Sequence, residues 1–566
     1  MKITLPLGRI AATAVCVLLS ACAAGRNFGT AASMTPPNPA VGAFLAAHYA
    51  GTVDDPAKAA YYYALALKTD PNSPELAENG FLAGLLAGSP QAAELAPSLP
   101  HNTLAKLYLG NEALLDGNYS DAATLFKTLP DDQLSGLLEP LLLAWTKYGQ
   151  GDEPGALALL RPSFNNGPFG MVYMLNAALI ADAAGDKLRA AQLYQTIPTT
   201  TPNLRLAQIL SSWYARQGNT DRANAILNEL ATIHPDLAIA LPQLRAQMNQ
   251  PVINTPAQGA AEAYLTLAAS LSDPQALFLR VVFLRFALEL QPDFSAARLI
   301  LADSQVNTPL QTMPPTATQI KNALATLAPI GPSDPLYGAA LLQRATLNAA
   351  LGQTQTAISL LSHLIANNPG NPGLLAAAGD IRRTANQCTL AIPYYEQAIR
   401  LVGHAPPQNS WPLFFDLGMC QDQTGNWAAA EPNLMQALKL SPNQPYVLNY
   451  IGYSWAQQGK NLAAAQSMLL RAVSLDPNDG AVLDSLGFVE IQRGHATQAI
   501  QLLTQAVQLD PRNAVVNAHL GDAFALAGQT LQAVYQWDRA LNLDPDAALQ
   551  AALKAKLQNA IRTMQP

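Results

Sequence analysis

Hydrophobic and small residues recur along the C-terminal half of the chain with the spacing of helices packed in pairs. The stretch LGDAFALAGQTLQAVYQWDRALNLDP contains two such faces, formed by Leu520, Gly521 and Phe524 and by Ala533, Trp537 and Ala540. Gly528 lies between the two faces, where the chain must turn, and Pro545 cannot continue the second helix. The pattern predicts an antiparallel pair of helices.

The same pattern returns at a nearly constant interval. Its closing prolines, Pro442, Pro477, Pro511 and Pro545, are separated by 35, 34 and 34 residues. A period of this length is typical of a solenoid, in which each helix pair stacks on its neighbours. We therefore expect an elongated array rather than a single globular core in this part of the chain.

Several spaced residues recur together in the other late copies. One copy contains Leu417, Gly418, Gly425, Trp427, Ala430, Ala437 and Pro442, the next contains Ile451, Gly452, Gly459, Ala465, Ala472 and Pro477, and the third contains Leu486, Gly487, Gly494, Ala499, Ala506 and Pro511. This pattern resembles the tetratricopeptide repeat (TPR). The resemblance implies an all-α fold, a right-handed superhelical solenoid of tetratricopeptide-type helix pairs.

Upstream the 34-residue period weakens, but apolar residues keep their helical spacing. Segments rich in Pro, Thr and Asn interrupt this helical pattern near 251–256 and 305–318. We divide the chain into a signal peptide (1–21), a flexible tether (22–42), degenerate helical repeats (43–250), helical repeats (257–304), TPR-like repeats (319–403), regular TPR repeats (411–545) and a C-terminal capping helix (546–566). We interpret the interruptions as joints within one array.

The N-terminus has the layout of a bacterial secretion signal. Lys2 and Arg9 precede an apolar run from Ile10 to Leu19, which is too short to remain as a spanning helix. The run ends in LSAC, which resembles a lipobox and implies cleavage before Cys22 and lipidation of that residue. Ala23 in turn implies sorting to the outer membrane. The alternative is an ordinary signal with an incidental cysteine.

Net charge and the lack of catalytic motifs argue against several classes of function. The net charge is −7 at pH 7, which argues against binding to a phosphate backbone, so nucleic acid is not an expected partner. The seven histidines are scattered, with no HExxH, and we find no phosphate-binding loop and no GxSxG motif. We therefore expect no enzyme activity, no metal, no cofactor and no small-molecule substrate. The alternative among enzymes is a glycan-cleaving enzyme with a helical arm. Such an enzyme would require an essential carboxylate.

The repeats contain two cysteines, Cys388 and Cys420. The first falls near the start of one repeat's second helix and the other late in the next repeat's first helix, and such helices touch in this fold. A disulfide and two buried free thiols are both compatible with this placement, and a disulfide requires a Cα separation of about 4.4 to 6.8 Å.

In tetratricopeptide arrays the first helices line a concave face that binds extended peptides or helices. Spacing places ten residues there as a candidate peptide-binding groove: Phe415, Met419, Asp422, Tyr446, Asn449, Tyr453, Asp484, Phe488, Gln492 and Asp522. The set is aromatic and mildly acidic. It lacks the lysines and arginine of the carboxylate-clamp subfamily, so chaperone tails are not expected ligands.

The resemblance extends to a family of large bacterial TPR lipoproteins, some of which bring peptidoglycan-remodelling enzymes to processing proteases. We therefore expect a non-enzymatic scaffold or adaptor, held at the outer membrane by an N-terminal lipid and facing the periplasm, that binds a periplasmic or outer-membrane protein. The alternative is a subunit of the machinery for outer-membrane assembly or polysaccharide export.

Overall fold

The computed structural model describes residues 39–564, except for 166, 198–202, 272 and 307–313. These residues form 30 α-helices, joined by turns and short 3-10 segments, and no strand occurs among them. The all-α repeat solenoid predicted from the sequence is thereby confirmed. Within this part of the chain no helix is both long and apolar enough to cross a membrane. The signal peptide, Cys22 and residues 22–38 of the tether lie outside the described residues.

The chain divides into two compact units at Leu109. The first unit contains α1 (Pro39–Thr52), α2 (Pro56–Leu67), α3 (Pro74–Ala87), α4 (Gln91–Leu95) and most of α5 (Thr103–Leu115). Its core is made largely of small residues of α1 and α2, such as Ala47 and Ala60. The sequence prediction placed residues 39–42 in the tether. In the structure these residues are helical, because α1 begins at Pro39. A proline is well tolerated in a first helical turn, where its missing N–H has no helical acceptor.

The second unit extends from Gly110 to the C-terminus. Its earlier helices are α6 (Tyr119–Lys127), α7 (Gln133–Gly149), α8 (Glu153–Leu160), α9 (Gly170–Ala184), α10 (Lys187–Thr196), α11 (Leu204–Arg216), α12 (Thr220–Ile233), α13 (Leu241–Gln247), α14 (Pro256–Ser270), α15 (Leu277–Leu290), α16 (Ser295–Val306) and α17 (Ala317–Leu327). Its later helices are α18 (Tyr337–Ala350), α19 (Thr354–Asn367), α20 (Pro372–Thr384), α21 (Cys388–Val402), α22 (Trp411–Gln423), α23 (Trp427–Leu440), α24 (Pro445–Gln457), α25 (Leu462–Leu475), α26 (Gly480–Gln492), α27 (Ala496–Leu509), α28 (Ala514–Leu526), α29 (Thr530–Leu541) and α30 (Ala547–Met564).

The late helices pack in the pairs that the period predicts, α22 with α23, α24 with α25, α26 with α27 and α28 with α29. Gly528 turns the chain between α28 and α29 with a φ of 74°, a conformation that side chains disfavour. Within the pairs, small residues allow close approach. A Cβ on Gly487 would lie 2.5 Å from Leu503, and one on Gly521 would lie 2.5 Å from Trp537. Some repeat glycines thus allow the turn between two helices, and others allow the two helices to pack closely.

Helix α30 covers the end of the array. Leu553 is fully buried, and Leu549 and Leu557 pack with it against the cluster that contains Trp537. These leucines are spaced four residues apart, so they share one face of the helix. The apolar face of the pair formed by α28 and α29 is therefore shielded from water by α30.

The middle of the second unit departs from simple neighbour stacking. Helices α7, α9 and α14 pack on one another although they are distant in sequence. Asn111 donates a hydrogen bond to Glu289 at 3.3 Å, and burial raises the pKa of Glu289 well above its usual range. Ile239, in the 3-10 segment Pro235–Ala240, joins a core cluster with Leu341 and Leu374. Segments on opposite sides of the predicted joints therefore share cores.

Candidate functional site

The predicted groove residues lie on the first helices of the four regular repeats, α22, α24, α26 and α28. Neighbouring first helices pack on each other directly, α24 against α26 and α26 against α28. Side chains from successive repeats therefore meet in one row, although about 34 residues separate them in sequence. We call the row formed by these four helices the first-helix surface.

An aromatic cluster occupies the centre of this surface. The ring of Phe488 lies 5.3 Å from that of Tyr453 and 4.7 Å from that of His519, measured between centroids. The Tyr453 and His519 rings are 6.4 Å apart, so the three rings make mutual contact across α24, α26 and α28. All three side chains are partly exposed. We call them the aromatic triad.

Asp484 lies beneath the aromatic triad rather than on the groove surface. Only 6% of the residue is exposed, and its two carboxylate oxygens lie 2.9 and 3.0 Å from His519 Nδ1. The prediction that Asp484 lines the groove is wrong in this respect, because the carboxylate is turned inward to a histidine of the next repeat. Burial, followed by the nearby Asp484 carboxylate, raises the pKa of Tyr453. The pairing fixes the orientation of the imidazole ring.

A second aromatic group lies one repeat earlier. The ring of Phe415 lies 6.1 Å from that of Trp411 and 5.7 Å from that of Tyr450. The hydroxyl of Tyr450 donates a hydrogen bond to Asp422 at 2.9 Å, and Ser454 approaches the same oxygen at 3.5 Å. Burial and this hydrogen bond raise the pKa of Tyr450. The Asp422 carboxylate therefore accepts hydrogen bonds from side chains of the next repeat within the array.

The remaining predicted residues differ in accessibility. Tyr446 is 60% exposed and Gln492 is also exposed, whereas Met419 and Asn449 are partly buried. The carboxylate of Asp522 accepts hydrogen bonds from Lys556 of α30 at 2.7 Å and from Trp537 Nε1 at 2.9 Å. The Lys556 contact attaches α30 to the repeat formed by α28 and α29, whereas the Trp537 contact joins these two helices to each other. The surface that a ligand can reach is therefore mainly aromatic and amide in character.

An acidic network that the sequence reasoning missed adjoins this surface on α20 and α22. Asp416 and Arg383 form an ion pair at 3.3 Å, and Tyr395 donates a hydrogen bond to Asp380 at 2.7 Å. Burial is the main cause that raises the pKa of Asp416 to about 6, and the Asp380 carboxylate adds to it. The network joins two neighbouring first helices. No group of three or more metal-binding side chains was found anywhere in the described ranges.

Other residues that complete the surface were also missed, although the repeat period contains a signal for two of them. His519 follows Asp484 by 35 residues, so the two occupy nearly equivalent positions in successive repeats. Equivalent positions on stacked first helices are spatial neighbours. Reading the polar residues at the repeat interval would therefore have paired them. Tyr450 follows Phe415 by the same 35 residues, so their ring contact could have been predicted in the same way, whereas Trp411 contacts Phe415 from one turn earlier on the same helix.

The two cysteines of the repeats meet between α21 and α22. Cys388 begins α21, Cys420 lies in the last turn of α22, and the structure joins them in a disulfide with a Cα separation of 4.9 Å. This separation lies within the range of about 4.4 to 6.8 Å that disulfides require. Both residues are buried among the apolar side chains of these helices.

We predict that the bond is present in the protein isolated under oxidising conditions. Alkylation of the denatured chain should leave Cys388 and Cys420 unmodified, and peptide mapping should recover them as one joined fragment that reduction separates. A Cys388→Ser variant serves as the control, since it should make Cys420 reactive. Full alkylation of both residues without a reductant would show that they are free thiols.

Comparison with known proteins supplies the family. Models of the tetratricopeptide repeat match residues 415–480, which include α24 and most of α22 of the first-helix surface, and residues 209–236 and 339–371 upstream. The upstream matches contain the turns from α11 to α12 and from α18 to α19. No curated protein matches the sequence. Helical pairs that the sequence shows only weakly are thus recognised as repeats as well.

Many solved structures are similar to the chain, among them the following three at low identity. The crystal structure of the APC/C hetero-tetramer Cut9–Hcn1 is 19% identical, with a TM-score of 0.35, over 82% of this chain and 98% of that one. A tetratricopeptide repeat protein from Parabacteroides merdae is 15% identical, with a TM-score of 0.35, over 43% and 93% of the two chains. PilW, a type IV pilus biogenesis factor, is 17% identical, with a TM-score of 0.31, over 34% and 87%.

The assignment follows from the helix pairs and the family models together. Paired helices with turn glycines and closing prolines recur in the four regular repeats, and the models match one stretch in these repeats and two before them. The chain is a tetratricopeptide-repeat protein.

Proposed function

We propose that this protein is a lipid-anchored adaptor that faces the periplasm and recruits a periplasmic protease or a peptidoglycan-remodelling enzyme. Tetratricopeptide repeats indicate a scaffold for protein–protein interaction, and folds of this class are generally non-catalytic. In this proposal the chain itself catalyses nothing, and the partner binds to the first-helix surface. The observation that carries the proposal is the aromatic triad of Tyr453, Phe488 and His519, which joins three successive repeats.

The triad has the properties of a binding hot spot. Aromatic side chains contribute a large contact area and are enriched among the residues that dominate binding energy. Their neighbours already fix these rings, because Phe488 contacts both partners and His519 is held by the buried Asp484. Little conformational entropy is therefore lost when a ligand binds to them. Such a surface suits an extended peptide or one face of a helix.

The proposed location rests on the N-terminal sequence. Removal of residues 1–21 and lipidation of Cys22 would leave residues 23–38 between the lipid and α1. A flexible chain of this length spans about 20 to 25 Å on average, so the repeats would be accessible to proteins of the periplasm. Outer-membrane sorting follows from the lipobox resemblance and belongs to the same proposal.

We predict that the double variant Tyr453→Ala, Phe488→Ala loses one specific partner. The mature protein and the variant would be captured with their partners from cross-linked envelopes. Removal of two hot-spot rings should weaken binding by at least about 2 kcal/mol, or roughly thirtyfold. A periplasmic protease or hydrolase should disappear from the variant's partners.

A matched control carries two substitutions on a second helix of the array. Leu531 and Tyr535 of α29 are 74% and 64% exposed, so Leu531→Ala, Tyr535→Ala removes similar apolar surface outside the first-helix surface. This control should retain the partner, and circular dichroism should show equal helix content in all three proteins. If the triad variant retains every partner, the aromatic triad is not the binding site. A set of partners dominated by assembly or export pores would favour a machinery subunit instead.

A further inference from the structure

A cavity of about 400 Å³ lies in the middle of the second unit, in repeats that do not contribute to the first-helix surface. Helices α9, α11, α14, α15 and α16 surround it. Its wall consists mostly of aliphatic side chains, among them Leu175, Leu206, Leu265, Leu299 and Ile300. Small-molecule sites typically have volumes of about 300 to 1,000 Å³ and are mainly apolar with a few polar groups. The cavity meets both criteria.

Two arginines line this cavity, and the charge of one is neutralised within the protein. Arg205 donates a hydrogen bond through Nε to Glu262 at 2.7 Å, and its Nη2 lies 2.6 Å from the same carboxylate. Its Nη1 donates to Gln208 at 2.8 Å, and the guanidinium lies 4.8 Å from the centre of the Phe294 ring. Arg205 is therefore held in place and contributes little net charge to the cavity.

The other arginine, Arg280 of α15, is not compensated in this way. Its Nε atom is buried and has no hydrogen-bond partner among the residues that the structure describes. None of the ion pairs in the described part of the chain involves it. A buried donor without a partner costs free energy, and a charged donor costs more. The site thus combines one uncompensated guanidinium with an aliphatic wall.

We propose that the cavity binds an amphiphile with a single carboxylate, of the class of medium-chain fatty acids. The carboxylate would accept hydrogen bonds from the Arg280 guanidinium, whose planar group matches a carboxylate in shape and charge. The alkyl chain would lie against the leucine and isoleucine side chains and be removed from water. One positive group calls for one negative charge, which favours a monocarboxylate over a more highly charged phosphate.

The test uses the full mature chain and three ten-carbon probes, kept below their micelle concentrations. Isothermal titration calorimetry should show that decanoate binds with a stoichiometry of one. Decylammonium, with the same chain and the opposite charge, should give no measurable binding, and 1-decanol should bind more weakly than decanoate. Equal binding of decanoate and decylammonium, or no binding of decanoate, would overturn the proposal.

Two variants assign the binding to this cavity. Arg280→Leu removes the charge while it keeps an aliphatic side chain, and decanoate affinity should fall by about ten- to a hundredfold. Ala269 lines the cavity at an exposed position, so Ala269→Trp should fill the space with little strain and abolish binding. The second variant keeps the proposal testable if Arg280→Leu does not fold.

The matched control is Arg512→Leu, which removes an exposed arginine from a turn far along the chain. It should bind decanoate as the unmodified protein does. If Ala269→Trp binds decanoate with unchanged affinity, the ligand occupies another site and the proposal is wrong. The same conclusion follows if Arg280→Leu and Arg512→Leu give equal affinities.

Discussion

Replacement of Trp145 by alanine is expected to lower the free energy of unfolding around α7, α9 and α14 by about 3 to 5 kcal/mol. The indole is fully buried, and its Nε1 donates a hydrogen bond to Asn176 Oδ1 at 2.8 Å. On its other side the ring packs directly on the backbone of Gly259, where a Cβ would overlap the ring atoms. The alanine variant would therefore leave a cavity and an unsatisfied buried amide between three helices.

Hydrogen exchange measures this effect locally, which is necessary because long repeat arrays need not unfold in one step. Protection should fall in peptides from α7, α9 and α14, and much less in α26 to α29. Leu188→Ala, which truncates a leucine that is 74% exposed on α10, serves as the surface control and should leave protection nearly unchanged. Unaltered protection in the Trp145→Ala variant would show that the indole is not a core residue.

Replacement of Arg205 by methionine is expected to cost a similar amount, about 3 to 5 kcal/mol. Glu262 is fully buried, and Arg205 provides its ion pair. Methionine retains much of the side-chain volume but leaves the carboxylate without a counter-charge in an apolar surrounding. The loss therefore measures the penalty of an isolated buried charge and not the net contribution of the pair.

The double variant Arg205→Met, Glu262→Met separates these two quantities. Because it removes both charges, its stability should return to within about 1 to 2 kcal/mol of the unmodified protein, measured by denaturant unfolding and by hydrogen exchange in α11 and α14. A double variant that is as unstable as Arg205→Met alone would mean that packing at these positions, and not charge, sets the cost.

The regular repeats could be predicted from the sequence because their signals are local. A glycine such as Gly528 adopts a positive φ at a fixed point of each pair, and a proline such as Pro511 follows each second helix. Apolar residues at helical spacing identify the buried faces, and the constant period relates one copy to the next. The candidate groove followed from the same arithmetic, so its residues were placed on the correct helices.

The packing of helices in the middle of the chain could not be predicted from the sequence, because the contacts there join residues that are far apart in sequence. Tyr264 donates a hydrogen bond to Asn111, which precedes it by 153 residues, and Asn111 in turn donates to Glu289. No sequence interval connects such positions, since each depends on how several helices pack together. The interruptions that we interpreted as joints contain no information about Ile239 packing with Leu341 across them.

By itself the sequence determined the helical class, the repeat period, the paired helices of residues 411–545 and the rows of residues along their first helices. These properties arise from backbone preferences and from the burial of apolar faces at fixed spacing. Only the tertiary structure decided that Asp484 turns inward to His519 and that α7, α9 and α14 share a core. It also decided that Arg280, within the described ranges, lacks the carboxylate partner that Arg205 has. Such features depend on side-chain direction and on contacts between distant segments, which a local pattern does not specify.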